Sequence, residues 1–267
     1  MNEELKKLYN WLCINRLSLN ISKTNFIIFH AVNKPKIPVT ILIDNKSIDE
    51  VMYVKYLGIL IDSQLSFRYH IDELTKKISR GIGVLYKLRP FVTTKILTNI
   101  YYAIIYPFLL YGITVWGTAS NTNIFPIHIL QKRFVRMATY NDKFPDVPGP
   151  LAHTPPLFSK LNILTIFDIF KLQLGELVYE SINQIGPSCN IIQFTRTNEI
   201  HDHNTRYASC GSLFNTYVRT SCYGLKSLKY MGGKLWATIP ENIQDCLTCK
   251  SFTRNLKIKL INDYPKQ

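Results

Sequence analysis

The spacing of apolar residues changes near residue 66, and this change constrains the fold more than any other feature of the sequence. Before it, a helical pattern over Glu3–Arg16 is followed by short β-rich runs such as Thr24–His30 and Val54–Ile61. After it, apolar residues recur every three or four positions over Phe67–Arg89, the spacing of an amphipathic helix. The sequence therefore predicts an α+β protein that is mostly α, with a small antiparallel sheet near the N-terminus.

The same patterns predict four parts. Residues 1–66 form a helix and short antiparallel strands, and residues 67–140 are helical. A proline-rich linker over 141–156 separates them from a second helical part, residues 157–267. Ser66 is placed to cap the first long helix, a hairpin is expected around Asn45-Lys46, and Gly232-Gly233 predicts a turn. The further predicted helices are Thr94–Ile105, Phe108–Trp116, Phe125–Met137, Leu157–Ile182 and Ser251–Tyr264.

Residues 1–66 hold little material for a core of their own. One helix and two or three short strands bury a small apolar area, and the unpaired strand edges would be exposed. We therefore expect this part to pair with polypeptide that lies outside it.

An uncharged stretch over Ile100–Gly117 borders on the length of a membrane span. It contains Pro107 and tyrosines through its middle, so a buried helix broken at Pro107 is the better prediction, and no membrane partner is expected. No secretory signal opens the sequence. We expect an intracellular protein, nuclear or cytoplasmic and not secreted, whose six cysteines are thiols, with Cys13 in the core.

The chain carries a formal net charge of +14, which favours a polyanionic partner such as nucleic acid. The excess is uneven, since residues 67–140 hold ten basic and two acidic side chains. Phosphate binding and an ordinary solvated helix face are both open as interpretations of the basic clusters. The candidate phosphate-binding residues are Lys76, Lys77, Arg80, Lys87, Arg89, Lys132, Arg133 and Arg136.

A series of motifs runs through nearly the whole chain in a recognisable order. Leu-Ser-Leu-Asn-Ile-Ser-Lys-Thr over 17–24 is followed by Tyr56-Leu57-Gly58, by Tyr111-Gly112 and Val115-Trp116-Gly117, and by Leu130-Gln131-Lys132-Arg133. Further on come His153-Thr154-Pro155-Pro156-Leu157-Phe158, His201-x-His203-x-Thr205-Arg206 and Leu235-Trp236 with Pro240. The series resembles the C-terminal part of a jockey-like non-LTR retrotransposon reverse transcriptase, from the end of the palm through the thumb.

The resemblance implies an RNA-directed DNA polymerase of a transposable element, which uses Mg²⁺ ions held by aspartates. In that family one strand aspartate and an adjacent Asp-Asp pair bind the metal. This chain has no Asp-Asp pair, and the resembling segment begins near residue 5. Asp49-Glu50 and Asp72-Glu73 are better explained as a solvated turn and a helix start. We therefore expect no catalytic residue, no cofactor and no polymerase activity in this chain.

The resemblance also implies roles for particular residues. Lys23 matches a lysine thought to protonate the departing pyrophosphate, which would be a vestigial general acid here, and an exposed loop lysine is the alternative. Tyr56, Leu57 and Gly58 match the primer grip, where glycine in a turnless strand would let the backbone approach a sugar-phosphate chain. Ordinary sheet packing is the alternative, and it would be sufficient for Leu57.

Cys246-x-x-Cys249 invites a zinc interpretation, but no second ligand pair follows at a standard interval. His201, His203, Cys210 and Cys222 are the other available ligands, and we expect no metal site.

The sequence thus predicts a chain that holds an RNA or RNA–DNA primer–template by its backbone, with the N-terminal palm and fingers of the polymerase as a further partner. The alternative is a domesticated module that binds nucleic acid or protein without polymerase activity, and a decayed reading frame is a third possibility.

Overall fold

The computed structural model describes residues 2–31, 34–35, 37–140, 154–186, 192–197, 213, 218–220 and 223–264. The protein divides into two compact units, residues 1–70 and residues 71–267. Most of the described chain is helical, and its few strands lie near the N-terminus, which confirms the predicted fold class. The greater part of the predicted proline-rich linker, residues 141–153, lies outside the described residues.

The first unit combines one helix with three two-stranded sheets. Helix α1 spans Asn2–Ile14. The six strands are β1 (Asn25–Phe26), β2 (Leu42–Ile43), β3 (Lys46–Ser47), β4 (Asp49–Glu50), β5 (Tyr53–Tyr56) and β6 (Ile59–Asp62). Strands β2 and β3 pair antiparallel, as do β5 and β6, whereas β1 and β4 pair parallel.

A small apolar cluster holds the first unit together. Its buried members are Ile41, Ile43 and Ile48, and Leu5 and Tyr9 of α1 pack against them. Successive strand residues face opposite sides, so these short strands contribute few inward side chains. No residue of α1 is fully buried. Cys13 is exposed, so the prediction that it belongs to the core is wrong.

Two-residue turns shape both hairpins of this unit. Asp44 and Asn45 have φ values of 51° and 56°, so the predicted first hairpin is present but turns one residue earlier than Asn45-Lys46. Leu57 and Gly58 have φ values of 45° and 84°. Positive φ at both central residues defines a type I′ turn, which matches the right-handed twist of the flanking strands. The predicted single strand over Val54–Ile61 is therefore wrong, because a turn divides it into β5 and β6.

The second unit begins as a series of helices. They are α2 (Arg68–Leu88), α3 (Thr94–Ile104), α4 (Tyr106–Leu110), α5 (Ile113–Trp116) and α6 (Asn121–Thr139), with the 3₁₀ turn Arg89–Phe91 after α2. Thr93 caps α3 and Ser120 caps α6, because each side chain accepts a hydrogen bond from a free backbone N–H of the first turn. Pro107 lies at the start of α4, and Gly112, with φ 61°, separates α4 from α5.

The remaining helices of the described residues are α7 (Pro155–Lys160), α8 (Ile166–Ile182), α9 (Leu228–Trp236), α10 (Glu241–Gln244) and α11 (Cys249–Asn262). Helix α8 packs against both α9 and α11. Phe252 lies at the centre of this core, stacked on Tyr179 with ring centroids 4.5 Å apart and on Trp236 at 5.7 Å. All three side chains are buried.

One helix prediction and one turn prediction in this half are wrong. The predicted helix over Leu157–Ile182 is divided, since Asn162 has φ 55° and Thr165 caps a new helix by accepting from the N–H of Asp168. Gly232-Gly233 lies inside α9 rather than in a turn. A Cβ atom at Gly232 would come within 2.8 Å of Val178 in α8, so glycine here permits close helix packing.

No helix among the described residues is long and apolar enough to cross a membrane.

Candidate nucleic-acid interface

One exposed stripe of helix α2 carries three of the predicted phosphate-binding residues. Lys76, Arg80 and Lys87 are separated by four and seven residues, which places them on one face of a helix. All three are exposed. Lys77 lies on another side, where its ammonium is 2.6 Å from the carboxylate of Glu73. The structure thus separates Lys77 from the other predicted residues of this helix.

Helix α6 carries a second exposed stripe. Arg133, Arg136 and Tyr140 are spaced three and four residues apart, and all three are exposed. Lys132 is half-buried instead, with its ammonium 5.8 Å from the centre of the Phe125 ring. Of the three basic residues predicted here, two face outward on one stripe.

A buried glutamine fixes the position of α6. Its amide nitrogen donates to the Tyr101 hydroxyl at 3.0 Å and to the Leu164 carbonyl at 3.1 Å, and its oxygen accepts from the Ile166 N–H at 2.7 Å. Gln131 therefore ties α6 to α3 and to the start of α8. Because buried polar groups need such partners, this network determines the rotation of α6 and the direction in which Arg133 points.

The two basic stripes meet at the C-terminal ends of their helices. The guanidinium carbon of Arg89 lies 3.9 Å from the centre of the Tyr140 ring and 6.0 Å from that of Tyr86. The Thr94 hydroxyl also donates to the carbonyl of Ala138 at 3.0 Å, which holds the start of α3 against the end of α6. We call the six residues of this joined surface the basic face: Lys76, Arg80, Lys87, Arg89, Arg133 and Arg136.

The cations of the basic face have no counter-ions within the part of the chain that the structure describes. No carboxylate there lies within 4.0 Å of any of their side-chain nitrogens. Lys87 and Arg136 lie in the last turns of their helices, where the helix dipole also favours a cation. The dipole explains those two positions, but it does not explain Lys76, Arg80 or Arg133. Exposed cations without counter-ions in the described residues, carried on two helices that meet at their ends, can bind a polyanion.

Tyr56, Leu57 and Gly58 lie in the first unit, at the end of the β5–β6 hairpin. Leu57 is 72% exposed and Tyr56 is 63% exposed. Sheet packing, the alternative explanation for Leu57, therefore does not account for a side chain that points into solvent. A non-glycine residue at positive φ costs about 1–2 kcal/mol, and such strain is often found at functional positions. Lys23 is exposed at the C-terminal end of the 3₁₀ turn Ile21–Lys23.

Asp49-Glu50 and Asp72-Glu73, the acidic pairs considered for catalysis, do not form a two-metal site in the described residues. Asp49 and Glu50 make up strand β4, where consecutive side chains point to opposite faces. Glu73 binds Lys77, one turn further along α2. Residues that bridge two Mg²⁺ ions must instead place their carboxylates together. The acidic pairs named in the sequence thus do not fit the metal centre that the resemblance implies.

One group in the described residues brings potential metal ligands together. The Cys249 thiol lies 3.7 Å from a carboxylate oxygen of Glu176 and 3.9 Å from one of Glu180. Burial raises the pKa of this thiol, and the two carboxylates raise it further, whereas a hydrogen bond with the Thr253 hydroxyl lowers it. A protonated thiol that donates to carboxylates explains the arrangement without an ion.

Cys246, the other half of the Cys-x-x-Cys motif, does not belong to that group, and its sulfur accepts from the Asn255 amide at 3.3 Å. The other ligands considered from the sequence, His201, His203, Cys210 and Cys222, lie outside the described residues. The absence of a metal site stays a prediction.

Two single residues and one group of aromatic residues have structural roles here that the sequence did not predict. Gln131 orients α6; the motif Leu130-Gln131-Lys132-Arg133 contains it, but no role was predicted for it. Asp62 is buried and accepts from the backbone N–H groups of Gln64, Ser66 and Phe67, which shapes the chain before α2. An aspartate that accepts from backbone N–H groups a few residues further along the chain is typical of an Asx-type turn, and an aspartate just before a predicted helix could have indicated it. The exposed rings near Arg89 are the aromatic group, and aromatic residues interleaved with basic ones would have indicated them.

Three Drosophila proteins are similar to this chain over about half of its length. A transposon X-element protein of Drosophila melanogaster, named a probable RNA-directed DNA polymerase, is 26% identical over 155 residues, covering 57% of this chain and 16% of the relative. A protein of the same probable activity from transposon BS of Drosophila melanogaster is 28% identical over 142 residues, or 52% of this chain and 16% of the relative. The chain has homologues among the RNA-directed DNA polymerases of Drosophila non-LTR transposons.

A third relative, the RNA-directed DNA polymerase from mobile element jockey of Drosophila funebris, is 29% identical over 139 residues, which cover 51% of this chain and 15% of the relative. The chain therefore spans about a sixth of the length of the curated relatives it matches. No family model and no solved structure matches it. The similarity agrees with the predicted resemblance to a jockey-like reverse transcriptase.

Proposed function

We propose that this chain holds RNA or an RNA–DNA primer–template by its sugar-phosphate backbone, and that the basic face is the contact surface. The observation that carries the proposal is the meeting of two exposed basic stripes through Arg89 and Tyr140. Phosphate contacts position a protein on nucleic acid without reading its sequence, which suits lysine and arginine on regular helix faces. The names of the relatives agree with a nucleic-acid substrate.

Salt dependence tests the contact surface. With about five phosphate contacts, the logarithm of the association constant falls against the logarithm of salt concentration with a slope of about −4 to −5. Replacing both Arg80 and Arg136 by alanine lowers affinity about ten-fold and makes the slope less negative by about 2. The control replaces Lys250 and Arg254, two exposed basic residues of α11, and removes the same charge. Equal losses in both variants, or a slope near zero, exclude the basic face as the contact surface.

In this proposal the hairpin end of the first unit approaches the primer strand. Tyr56 and Leu57 are exposed, and Gly58 leaves backbone open to a sugar-phosphate chain. Lys23 is exposed, and in this proposal it has no proton-transfer role, because no metal-bound pyrophosphate forms beside it.

We propose that the chain binds and does not polymerise, because Asp49-Glu50 and Asp72-Glu73 do not converge on a metal position among the described residues. Mg²⁺ supplies the chemistry in the polymerases that it resembles, and in this proposal none of the predicted residues holds it. Primer extension on an RNA template with Mg²⁺ tests this proposal. The purified chain should give no product above background, and extension that depends on the added chain contradicts the proposal.

The first unit also offers a surface for a polypeptide, which favours the palm and fingers of such a polymerase as a partner. Leu8, Trp11 and Ile14 are exposed at spacings of three along α1 and form one apolar stripe. Trp116 and Trp236 are buried, so a change in tryptophan emission on mixing reports on Trp11. Titration with a purified palm-and-fingers segment should shift the emission to shorter wavelength, and Ile14→Lys should abolish the shift. An unchanged spectrum contradicts this partner.

A further inference from the structure

Three exposed aromatic rings lie at the junction of the two basic stripes. Tyr86 is in the last turn of α2, Phe91 ends the 3₁₀ turn that follows, and Tyr140 caps α6. They are 64%, 82% and 72% exposed. Large rings are ordinarily among the more buried side chains, so three exposed rings at one junction need an explanation. We call these residues the aromatic platform: Tyr86, Phe91 and Tyr140.

Arg89 connects the platform to the basic face. Its guanidinium lies over Tyr140 and within reach of Tyr86, at 3.9 and 6.0 Å from the ring centres. A cation over a ring is attracted by the negative face of the π system, so Arg89 restrains the Tyr140 ring before any ligand arrives, whereas Tyr86 lies at the outer limit of such an attraction. Prior ordering of side chains lowers the entropy cost of binding.

Two features of this surface together fit unpaired nucleotides. Exposed rings provide faces on which bases stack, and neighbouring cations provide partners for the phosphates. Lys87 and Arg136, which lie one and four residues from Tyr86 and Tyr140 along the chain, are exposed and have no carboxylate within 4.0 Å in the described chain. A duplex stacks its bases on one another and offers only its backbone and groove edges to side chains. The platform would therefore be unused by a duplex alone.

We propose that the aromatic platform stacks the bases of a single-stranded segment of nucleic acid, while the basic face binds its phosphates. This inference rests on the proposed function, since it names the strand state that one end of the same surface binds. Stacking accepts every base because each has a π face, so the platform binds without sequence preference.

The test compares two labelled strands of about 12 nucleotides, within the site sizes usual for such surfaces. One is oligodeoxyadenylate, and the other is an abasic strand of equal length that keeps the phosphates and lacks the bases. Fluorescence anisotropy at one fixed salt concentration gives both dissociation constants. The protein should bind the base-bearing strand about ten-fold more tightly than the abasic strand.

Leucine variants separate stacking from apolar contact. Tyr86→Leu and Phe91→Leu keep apolar bulk and remove a π face, so each should reduce the preference for the base-bearing strand about three-fold or more and leave the abasic affinity unchanged. The unchanged abasic affinity also shows that the variant is folded. Tyr140→Phe retains the ring and should behave as the unmodified protein. Tyr111→Leu removes an exposed ring outside the platform and is the matched control.

The possible outcomes distinguish the two proposals. Equal binding of both strands overturns stacking and leaves backbone binding intact. Failure of both strands to bind, at low salt, overturns the proposed function as well. A preference for bases that the platform variants do not change shows that the stacking surface lies elsewhere, which also overturns this inference.

Discussion

The two units of the protein differ in how they use apolar residues. The second unit buries its largest side chains, among them Trp116, Tyr179 and Phe252, between long helices. The first unit buries a cluster of isoleucines and leaves Trp11 and Leu57 exposed. Short two-stranded sheets have little inward surface, so they cannot cover such residues. Stability is therefore concentrated in the second unit, whereas the first displays apolar surface available for recognition.

Truncating the centre of the helical core should have the largest effect on stability. Phe252→Ala removes a fully buried ring between Tyr179 and Trp236 and should lower the free energy of unfolding by about 3–5 kcal/mol. Urea unfolding followed by the emission of Trp116 and Trp236 reports on this unit. Ile258→Ala, an exposed position of the same helix, should change the value by less than about 0.5 kcal/mol. Similar losses at Ile258 and Phe252 would contradict a core centred on Phe252.

Adding one methyl group at a crowded glycine should have the next largest effect. A Cβ atom at Gly117 would overlap the Ile113 carbonyl and lie 2.5 Å from the Phe170 ring, so Gly117→Ala should cost about 1–3 kcal/mol. Gly83 is the matched control, because it is exposed within α2 and a Cβ there meets nothing within 4 Å. Gly83→Ala should stabilise the protein by about 0.5–1 kcal/mol, since alanine favours the helix. The same urea experiment measures both, and a destabilising Gly83→Ala would show unsuspected crowding.

The sequence predicted much of the helical fold because amphipathic spacing and caps are local signals. Helix α2 was predicted within one residue at each end, and α6 was found although its ends extend further. The break before α8 was missed, even though Thr165-x-x-Asp168 is a recognisable capping box. Gly232 was misread because glycine suggests a turn unless the neighbouring helix is known. The missing side chain at Gly232 lets α9 pack closely against Val178 of α8. A local pattern cannot reveal this contact, because the two residues are distant in the chain.

The candidate site divides in the same way. The outward positions of Lys76, Arg80 and Lys87 follow from helical spacing, which a sequence gives directly. The contact between Arg89 and Tyr140 does not, because it joins the ends of two helices that are distant in the chain. Leu57 was assigned to a strand for a related reason. Leucine rarely adopts positive φ, and a type I′ turn usually contains Asn-Gly. Leu57-Gly58 therefore did not indicate a turn, although both residues have positive φ.

Acid should weaken the second unit through one histidine. His128 lies among Phe125, Phe158 and Phe167, and burial, reinforced by Lys132, lowers its pKa from 6.5 to about 4. As the pH falls, His128 therefore takes up a proton near pH 6.5 in the unfolded chain, but only near pH 4 in the folded protein. The histidine's contribution is full above pH 6.5 and is lost as the pH falls toward 4. After allowance for partial exposure, it amounts to about 1–2 kcal/mol.

Replacing His128 by phenylalanine separates its contribution to the pH dependence of unfolding from that of the aspartates and glutamates, which also titrate in acid. The buried Nδ1 atom has no hydrogen-bond partner in the described chain, so His128→Phe loses no polar contact there. Unfolding free energies measured from pH 7 to pH 4 should fall less steeply in His128→Phe than in the unmodified protein. Parallel curves would show that His128 titrates as freely in the folded protein as in the unfolded chain.

The smallest expected effect lies in the first unit, where two similar hairpins use different turn residues. Asp44-Asn45 places residues that tolerate positive φ at both positions, whereas the second hairpin places leucine at φ 45°. Leu57→Asn should therefore stabilise the β5–β6 hairpin by about 1 kcal/mol. Hydrogen exchange of the amides of β5 and β6 measures the change. The reverse substitution, Asn45→Leu, should destabilise the β2–β3 hairpin by a similar amount.

Leu57→Asn also tests whether the strained and exposed leucine has a role in binding. If Leu57 contacts the primer strand as proposed, Leu57→Asn gives a more stable hairpin that binds primer–template less tightly, since the apolar contact is lost while the backbone remains. Stability and binding then change in opposite directions, which simple misfolding cannot produce. Slower exchange with unchanged affinity would remove the hairpin end from the binding surface, and it would leave the first unit's apolar residues to a polypeptide partner alone.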